Sequence, residues 1–292
     1  MGTDKVVLQT YTRYSHSAQD YRFYRAFNTM QAWEDASPAN LVLDNVLWKG
    51  VCYKDGTFSG QCRILGTWTD SLHYKWLTVA PGSRHTGRKG TGVVVDRGGA
   101  NADFSFIGEW SQPYDNWTVV EWLEIKDGYG VSGDCCANIH IRTTDCTIRN
   151  NLFYNTVATG MGTHTAVGNN SLRNSFYNNI FYNMATAIYD GSASGTSNKY
   201  YNNTIYNCGT GIDNASGYGI YKNNIVLGGT TRWANLTNAT GGNNAGSGAD
   251  TPPGSGDVLT TATVSFVDST PANWDLHLKS GAACLNAGDS AG

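Results

Sequence analysis

Asn150-Asn151-Leu152-Phe153-Tyr154-Asn155 decides the fold, because three closely related segments follow it along the chain. These segments are Asn178-Asn179-Ile180-Phe181-Tyr182-Asn183, Asn202-Asn203-Thr204-Ile205-Tyr206-Asn207 and Asn223-Asn224-Ile225-Val226-Leu227-Gly228. A weaker copy, Trp122-Leu123-Glu124-Ile125-Lys126, begins 29 residues before Asn151. The full copies follow one another at intervals of 28, 24 and 21 residues. Periods between about 20 and 50 residues indicate a solenoid.

A second short motif follows each copy and gives every repeat a further strand. It reads Gly128-Tyr129-Gly130-Val131, Ala158-Thr159-Gly160-Met161, Ala185-Thr186-Ala187-Ile188 and Gly209-Thr210-Gly211-Ile212. Short segments that alternate apolar with polar side chains and carry β-branched and aromatic residues favour β-strands. No helical period recurs between them, which excludes βαβ units. A parallel β-helix is therefore predicted, with neighbouring coils about 4.8 Å apart.

The repeated polar and aromatic residues are predicted to stack from coil to coil. We expect the first asparagine of each pair to form a ladder of side-chain amides: Asn150, Asn178, Asn202 and Asn223. A similar ladder is expected at the following corner, where asparagine tolerates left-handed backbone angles: Asn155, Asn183 and Asn207. One file of aromatic rings is expected beside them: Tyr154, Tyr182 and Tyr206.

These motifs resemble a known family. Asn-Asn-x-Phe-Tyr-Asn followed by Thr-Gly-Ile is similar to the right-handed parallel β-helix repeats of the pectate-lyase-like superfamily. The tail segments Asn273-Trp274-Asp275-Leu276-His277-Leu278 and Gly281-Ala282-Ala283-Cys284-Leu285-Asn286-Ala287-Gly288 resemble a common ending of such proteins, and Met30–Ala36 resembles their cap helix. The resemblance implies an all-β, single-stranded right-handed parallel β-helix of roughly eight coils with a short N-terminal cap helix. Enzymes, adhesins and phage surface proteins share this fold, so it does not select a function.

Five regions are predicted along the chain. Residues 1–28 form an N-terminal aromatic arm, 29–40 the cap helix, and 41–239 the parallel β-helix. Residues 240–257, rich in Gly, Ser and Pro, are predicted to be a flexible connection. Residues 258–292 form a C-terminal closing segment, which we expect to fold back over the far end of the coils.

Composition and charge exclude several classes of protein. Charged residues make up 15% of the chain, well below the usual share of about 25%, which argues against a helical bundle. The formal net charge of −3 gives no basic field, so no nucleic-acid partner is expected. No apolar run is long enough for a membrane span, so no membrane partner is expected. The start lacks the apolar segment of a signal peptide, so we expect cytoplasmic synthesis followed by a location on a virion surface or outside the cell.

Neither a metal nor a cofactor is expected. The seven cysteines include no Cys-x-x-Cys pair and are predicted to be buried small hydrophobic residues. Acids near the repeats, such as Glu121, Glu124 and Asp145, form no Asp-Asp or Asp-x-x-Asp cluster. The sequence therefore predicts no catalytic residue.

The stretch from 109 to 117 is the predicted ligand-binding element. Its candidate substrate-binding residues are Glu109, Trp110, Tyr114, Asp115 and Trp117. Exposed aromatic rings stack on the apolar faces of sugars, and nearby acids accept hydrogen bonds from hydroxyls. The alternative is that the two tryptophans only pin a loop to the rod.

Two functions stay open at this point. The first is a structural or adhesive β-helix on a virion surface, as a bacteriophage decoration, fibre or spike, that binds glycans through its exposed aromatic residues. Such a protein would dock to a larger particle through residues 1–28 or associate with itself, as a trimer by analogy with phage rods. The second is a polysaccharide lyase or glycoside hydrolase on the same fold. We favour the first, a protein that is not an enzyme, because acidic clusters are sparse and the arm suits docking.

Overall fold

The computed structural model describes residues 5–7, 26–99, 104–108, 114–128, 137–156, 161–168, 171–192, 198–215, 218–248 and 250–288. The first half contains β1 (Lys5–Val7), α1 (Met30–Asp35), β2 (Trp48–Cys52), β3 (Cys62–Ile64), β4 (Lys75–Val79), a 3-10 turn (Pro81–Ser83), β5 (Val93–Asp96), β6 (Ser105–Ile107), β7 (Val119–Glu121), β8 (Leu123–Lys126), β9 (Ala137–Ile141), β10 (Thr147–Arg149), β11 (Leu152–Tyr154) and β12 (Met161–Gly168). The second half contains β13 (Ser175–Tyr177), β14 (Ile180–Tyr182), β15 (Thr186–Ser192), β16 (Lys199–Tyr201), β17 (Thr204–Tyr206), β18 (Thr210–Asp213), β19 (Ile220–Lys222), β20 (Ile225–Leu227), β21 (Thr231–Ala234), β22 (Thr240–Gly242), β23 (Ala245–Gly246), β24 (Val258–Leu259), α2 (Ala262–Ser265), β25 (Phe266–Asp268) and β26 (Asp275–Leu278).

The protein is all-β, and three long parallel sheets hold nearly all of its strands. The nine-stranded sheet has the order β1-β2-β4-β7-β10-β13-β16-β19-β22. The eight-stranded sheet runs β24-β23-β20-β17-β14-β11-β8-β5, and the seven-stranded sheet β21-β18-β15-β12-β9-β6-β3. From β3 to β20, each strand is hydrogen-bonded to the strand three places later in the chain. The chain therefore visits the three sheets in the same order in each repeat.

The strand register confirms that the sequence copies lie side by side. Tyr154 pairs with Tyr182, and Tyr182 pairs with Tyr206, in parallel strands. Glu124 pairs with Leu152, so Trp122 lies opposite Asn150 at an interval of 28 residues. The weaker copy thus aligns one position away from the interval of 29 predicted from the sequence.

The core lies between the three sheets, and its side chains stack along them. Phe153 and Phe181 stack with their ring centroids 4.8 Å apart, and a second stack joins Phe176, Tyr200 and Tyr221 at 4.8 and 4.9 Å. All five side chains are fully buried. Their neighbours on each strand face the other side of the sheet, as the two-residue period of a strand requires. Burial of this apolar surface is the main stabilising term.

The asparagine ladder is built from the second asparagine of each pair, so the sequence prediction was wrong by one residue. In each step, Nδ2 donates to the next Oδ1 at 3.0 to 3.3 Å. The fully buried members are Asn151, Asn179, Asn203, Asn224 and Asn244.

The first asparagine of each pair forms a left-handed corner. The backbone of these residues is left-handed, with φ between 54° and 56°, at the corner between the nine-stranded and eight-stranded sheets: Asn150, Asn178, Asn202 and Asn223. Asparagine tolerates this conformation better than other residues with a side chain. At the following corner, Asn207 Nδ2 donates to Asn183 Oδ1 at 3.2 Å, whereas Asn183 Nδ2 donates to the backbone carbonyl of Asn155. That corner therefore has a single amide-to-amide step.

The N-terminal end of the core is covered by α1. Thr29 caps this helix by accepting a hydrogen bond from the backbone N–H of Ala32 at 3.0 Å. Met30 and Trp33 enter the main core. A side chain at Gly50 would come within 2.8 Å of the Trp33 ring, so only glycine fits beneath it. Strand β1, from the predicted arm, pairs with β2 and forms the first strand of the nine-stranded sheet.

The range 240–257, predicted to be a flexible connection, contains two strands of the parallel sheets. Strand β22 pairs with β19, and β23 pairs with both β20 and β24. Asn244 continues the buried ladder within this range. The structural repeat continues here because backbone hydrogen bonds and the Asn244 amide connect these strands to the preceding repeat, although the alternating apolar pattern of the sequence is no longer present.

The C-terminal segment begins with β24 at the end of the eight-stranded sheet and then packs on the outer face of that sheet. Strands β25 and β26 form an antiparallel pair. Trp274 stacks on Tyr182 at 4.8 Å, and Phe266 meets Tyr206 edge-on at 5.6 Å. The tyrosine file predicted from the repeats lies on the outer face of the eight-stranded sheet and offers the apolar surface that this segment covers.

Candidate functional site

The predicted ligand-binding residues fall into three groups in the structure. Glu109 and Trp110 lie outside the described residues. Tyr114 and Trp117 lie in the loop before β7 and are partly or well exposed, Trp117 at 38%. Asp115 is fully buried between them.

An exposed tryptophan that the sequence did not single out completes the site. Trp68 is 45% exposed, and its ring meets that of Tyr114 edge-on at 4.9 Å. The two backbones form an isolated antiparallel bridge, and Thr69 donates to the carbonyl of Asn116 at 2.8 Å. We call Trp68, Tyr114 and Trp117 the aromatic cluster. Trp68 precedes Tyr114 by about one repeat, which is long in this part of the chain because β3 and β4 pair with β6 and β7. Trp68 belongs to no repeated motif, so the sequence carried no sign of their contact.

Asp115 supports the aromatic cluster from inside. Its Oδ1 lies 3.0 Å from Nζ of Lys75, which is also fully buried. Lys75 contacts Glu34 of α1 as well. Burial raises the pKa of Asp115, although Lys75 opposes that shift. The role of Asp115 as an acceptor for sugar hydroxyls stays a prediction from the sequence; in the structure its carboxylate is buried and paired with Lys75.

The loop that carries the aromatic cluster has a strained backbone. Asp115 and Trp117 are both left-handed, with φ of 57° and 64°. In the next two repeats the position equivalent to Trp117 is held by Asp145 and Arg173, also left-handed at 62° and 58°. A bulky side chain in this conformation is uncommon, and such outliers concentrate at functional sites. The left-handed corner recurs in the repeats and is structural, but the corner alone does not explain why residue 117 is a tryptophan.

The acids near the repeats are engaged in internal bonds. Glu121 pairs with Arg149, and Asp145 pairs with Arg173. The carboxylate of Glu124 is fully buried and accepts hydrogen bonds from backbone N–H groups of the loop between β4 and β5. These carboxylates stabilise corners and loops, which is the role their positions beside the sheets favour.

The described part of the chain has no cluster of metal-ligating side chains, and its buried thiols are poor nucleophiles. No group of three His, Cys, Asp or Glu side chains there could hold a metal. Cys52 and Cys208 are buried, and burial raises the pKa of each thiol to about 12. A raised pKa suppresses the nucleophilic thiolate. No helix within the described ranges is long and apolar enough to cross a membrane.

A second surface feature follows from the repeats themselves. The residue directly before each asparagine pair faces outward from the nine-stranded sheet: Arg149, Tyr177, Tyr201 and Lys222. This position was visible in the sequence as the residue preceding Asn-Asn. No role was predicted for it from the sequence.

Comparison of this chain with protein-family models, with curated proteins and with solved structures finds no match.

Proposed function

We propose that this chain is a right-handed parallel β-helix that serves as a structural and adhesive rod on a virion surface, such as a bacteriophage decoration, fibre or spike. In this proposal the aromatic cluster binds glycans. The three parallel sheets and the recurring register support the β-helix, and the resemblance to pectate-lyase-like repeats supports its right-handed sense.

The observation that carries the glycan-binding role is the exposure of Trp68 and Trp117 around Tyr114. The rings of Trp68 and Tyr114 are in contact above a backbone bridge, and the backbone beside them is fixed by the buried pair of Asp115 and Lys75 and by the hydrogen bond from Trp117 N–H to the Thr144 carbonyl. A preorganised aromatic surface binds the apolar face of a sugar at little entropic cost. The carboxylates of Glu121 and Asp145 are already paired with Arg149 and Arg173, which favours a binding function over a catalytic one.

Binding to a panel of immobilised neutral and acidic polysaccharides tests this role. Trp68→Ala and Trp117→Asn should each weaken binding about tenfold, which corresponds to loss of one well-packed aromatic contact. Asparagine suits the left-handed corner, so Trp117→Asn should change the free energy of unfolding by less than about 1 kcal/mol. Trp122→Asn, at another left-handed corner outside the cluster, is the matched control. Equal binding by all variants would contradict the proposal.

The same panel decides between a binding protein and the alternative enzyme. New reducing ends would indicate a glycoside hydrolase, and unsaturated products would indicate a polysaccharide lyase. We expect neither. Either product would replace the adhesive function by the enzymatic one.

Assembly tests the virion part of the proposal. The full chain should form a defined oligomer, with a trimer expected, or sediment with particles, and deletion of residues 1–28 should abolish this state. The deletion also removes β1 and so exposes the edge of β2. Loss of the defined oligomer therefore supports the proposal, whereas formation of large aggregates would only show that the exposed edge pairs with other chains. A chain that is monomeric before and after deletion would contradict it.

A further inference from the structure

A row of outward-facing side chains follows the nine-stranded sheet across five neighbouring strands. The register aligns them directly: Glu121, Arg149, Tyr177, Tyr201 and Lys222. The residue before each of them is buried in the core, so alternation directs the row outward. We call these five residues the outer row.

The outer row begins with a fixed cationic group. Arg149 Nε donates to Glu121 Oε2, and its Nη1 donates to the hydroxyl oxygen of Tyr177 at 2.7 Å. Glu121 also accepts from Trp76 Nε1 and Thr78 Oγ1. Although burial works to lower it, the hydrogen bonds to Tyr177 and Glu121 raise the pKa of Arg149. The guanidinium is therefore held in place, with about a third of its side chain exposed.

Positive charge gathers along this face. Lys222 ends the outer row, and Lys199 is exposed two residues before Tyr201 on the same strand. The outer row contains one carboxylate, Glu121, which is 2% exposed and already bonded. The chain as a whole carries a formal net charge of −3, so this face is positive on an acidic protein. Such local charge favours an anionic ligand.

We propose that the outer row, with Lys199, binds an extended anionic glycan along the nine-stranded sheet. Arg149, Lys199 and Lys222 would contact its carboxylate or sulfate groups, and the rings of Tyr177 and Tyr201 would lie against its sugars. The inference rests on the proposed glycan-binding function and adds a second site with a defined ligand chemistry.

The spacing of the cations favours a glycan over a nucleic acid. Arg149 and Lys222 are three strands apart, which is about 14 Å at a strand spacing of about 4.8 Å, with two uncharged tyrosines between them. Lys199 lies one strand from Lys222 and is displaced by two residues along the strand, so their backbones are about 8 Å apart. A nucleic-acid strand carries a phosphate about every 3.4 Å. Widely spaced cations fit a polymer that is charged on only some of its sugar units.

Binding of hyaluronan, which has one carboxylate per disaccharide, tests the inference on the full chain at low ionic strength. Lys199→Gln with Lys222→Gln should raise the Kd about three- to tenfold, and added salt should reduce the difference. Tyr201→Leu should weaken binding without changing the charge. The matched control is Lys54→Gln with Lys89→Gln, which removes two exposed lysines from another part of the surface and should leave the Kd unchanged.

Each other outcome has a definite meaning. No binding of hyaluronan by the full chain, or equal weakening by both pairs of lysine variants, overturns the inference. A response to Trp117→Asn but not to the Lys199 and Lys222 variants also overturns it, while leaving the function proposed for the aromatic cluster intact. Binding of single-stranded poly(dT) that depends on Lys199 and Lys222 as strongly would assign the row to nucleic acid instead. If the full chain bound no polysaccharide of the panel, or if Trp68→Ala and Trp117→Asn left the binding unchanged, the proposed function itself would be contradicted.

Discussion

At the scale of single residues, the asparagine pair divides two tasks that one residue could not perform. The first asparagine turns the corner in a left-handed conformation, and the second is buried and bonded on both sides. Asn203 accepts from the backbone N–H of Asn179, and its Nδ2 donates to Asn224 and to the carbonyl of Phe176. A buried amide with this many bonds is costly to replace, because each partner would stay dehydrated and unpaired.

The two asparagines of one pair should therefore respond very differently to substitution. Asn203→Leu should lower the free energy of unfolding by about 3 kcal/mol, since it strands the backbone groups that Asn203 serves. Asn202→Gly should change it by no more than about 0.5 kcal/mol, because glycine adopts the left-handed corner readily. Urea unfolding of both variants checks this. Similar losses for the two would mean that the first asparagine shares the structural load.

At the scale of elements, ionic contacts attach the segments that lie on the sheets. Arg88 and His277 both bond to the carboxylate of Asp275 on β26, and this links the C-terminal segment to the loop between β4 and β5. Partial burial of Asp275 works to raise its pKa, but the hydrogen bonds from Arg88 and His277 lower it to about 2. The ionised carboxylate is therefore favoured in the folded protein.

The contact of Asp275 should make stability depend on pH at its acidic end. The folded pKa of about 2 lies below the unfolded value of about 3.9, so the contribution is present above about pH 4 and lost as the pH falls towards 2. Asp275→Asn should cost about 1–2 kcal/mol at neutral pH and less than about 0.5 kcal/mol at pH 2, where the folded carboxyl is half protonated. Urea unfolding at several pH values measures the difference from the parent chain. A constant difference, or the same profile for the control Asp44→Asn, would contradict the assignment.

Elements that repeat were predictable from the sequence, and those that occur once were not. The intervals between the Asn-Asn copies predicted parallel strands and the alignment of Tyr154 with Tyr182 and Tyr206, which the register confirms. The position of the C-terminal segment depends on the contacts of Trp274 and Phe266 with these tyrosines. These contacts join distant parts of the chain, and no sequence period predicts them. The aromatic cluster was half predicted for the same reason, since the contact between Trp68 and Tyr114 leaves no local pattern.

At the scale of the whole molecule, the β-helix that we propose would be a quasi-one-dimensional stack, because each strand of the three sheets pairs only with the neighbouring strands of its own sheet. The two ends of this stack differ. The N-terminal end has α1, anchored by the buried contacts of Lys75 with Glu34 and Asp115. The C-terminal end is formed by the glycine-rich β22 and the two-residue strands β23 and β24. Stability in such arrays is close to a sum of local terms, so the weaker end should open first.

A substitution at the C-terminal end should therefore stay local. At Gly241 φ is 156°, and an added Cβ would lie 1.7 Å from the Tyr221 carbonyl oxygen, so Gly241→Ala must displace β22 from β19. Amide hydrogen exchange should accelerate in β19 to β24 and stay unchanged in β7 to β11. Gly82→Ala, where an added Cβ meets nothing within 4 Å, is the control and should alter neither region. If Gly241→Ala instead accelerated exchange equally in all strands, the sheets would be unfolding as one cooperative unit, and the local-sum account of this molecule would fail.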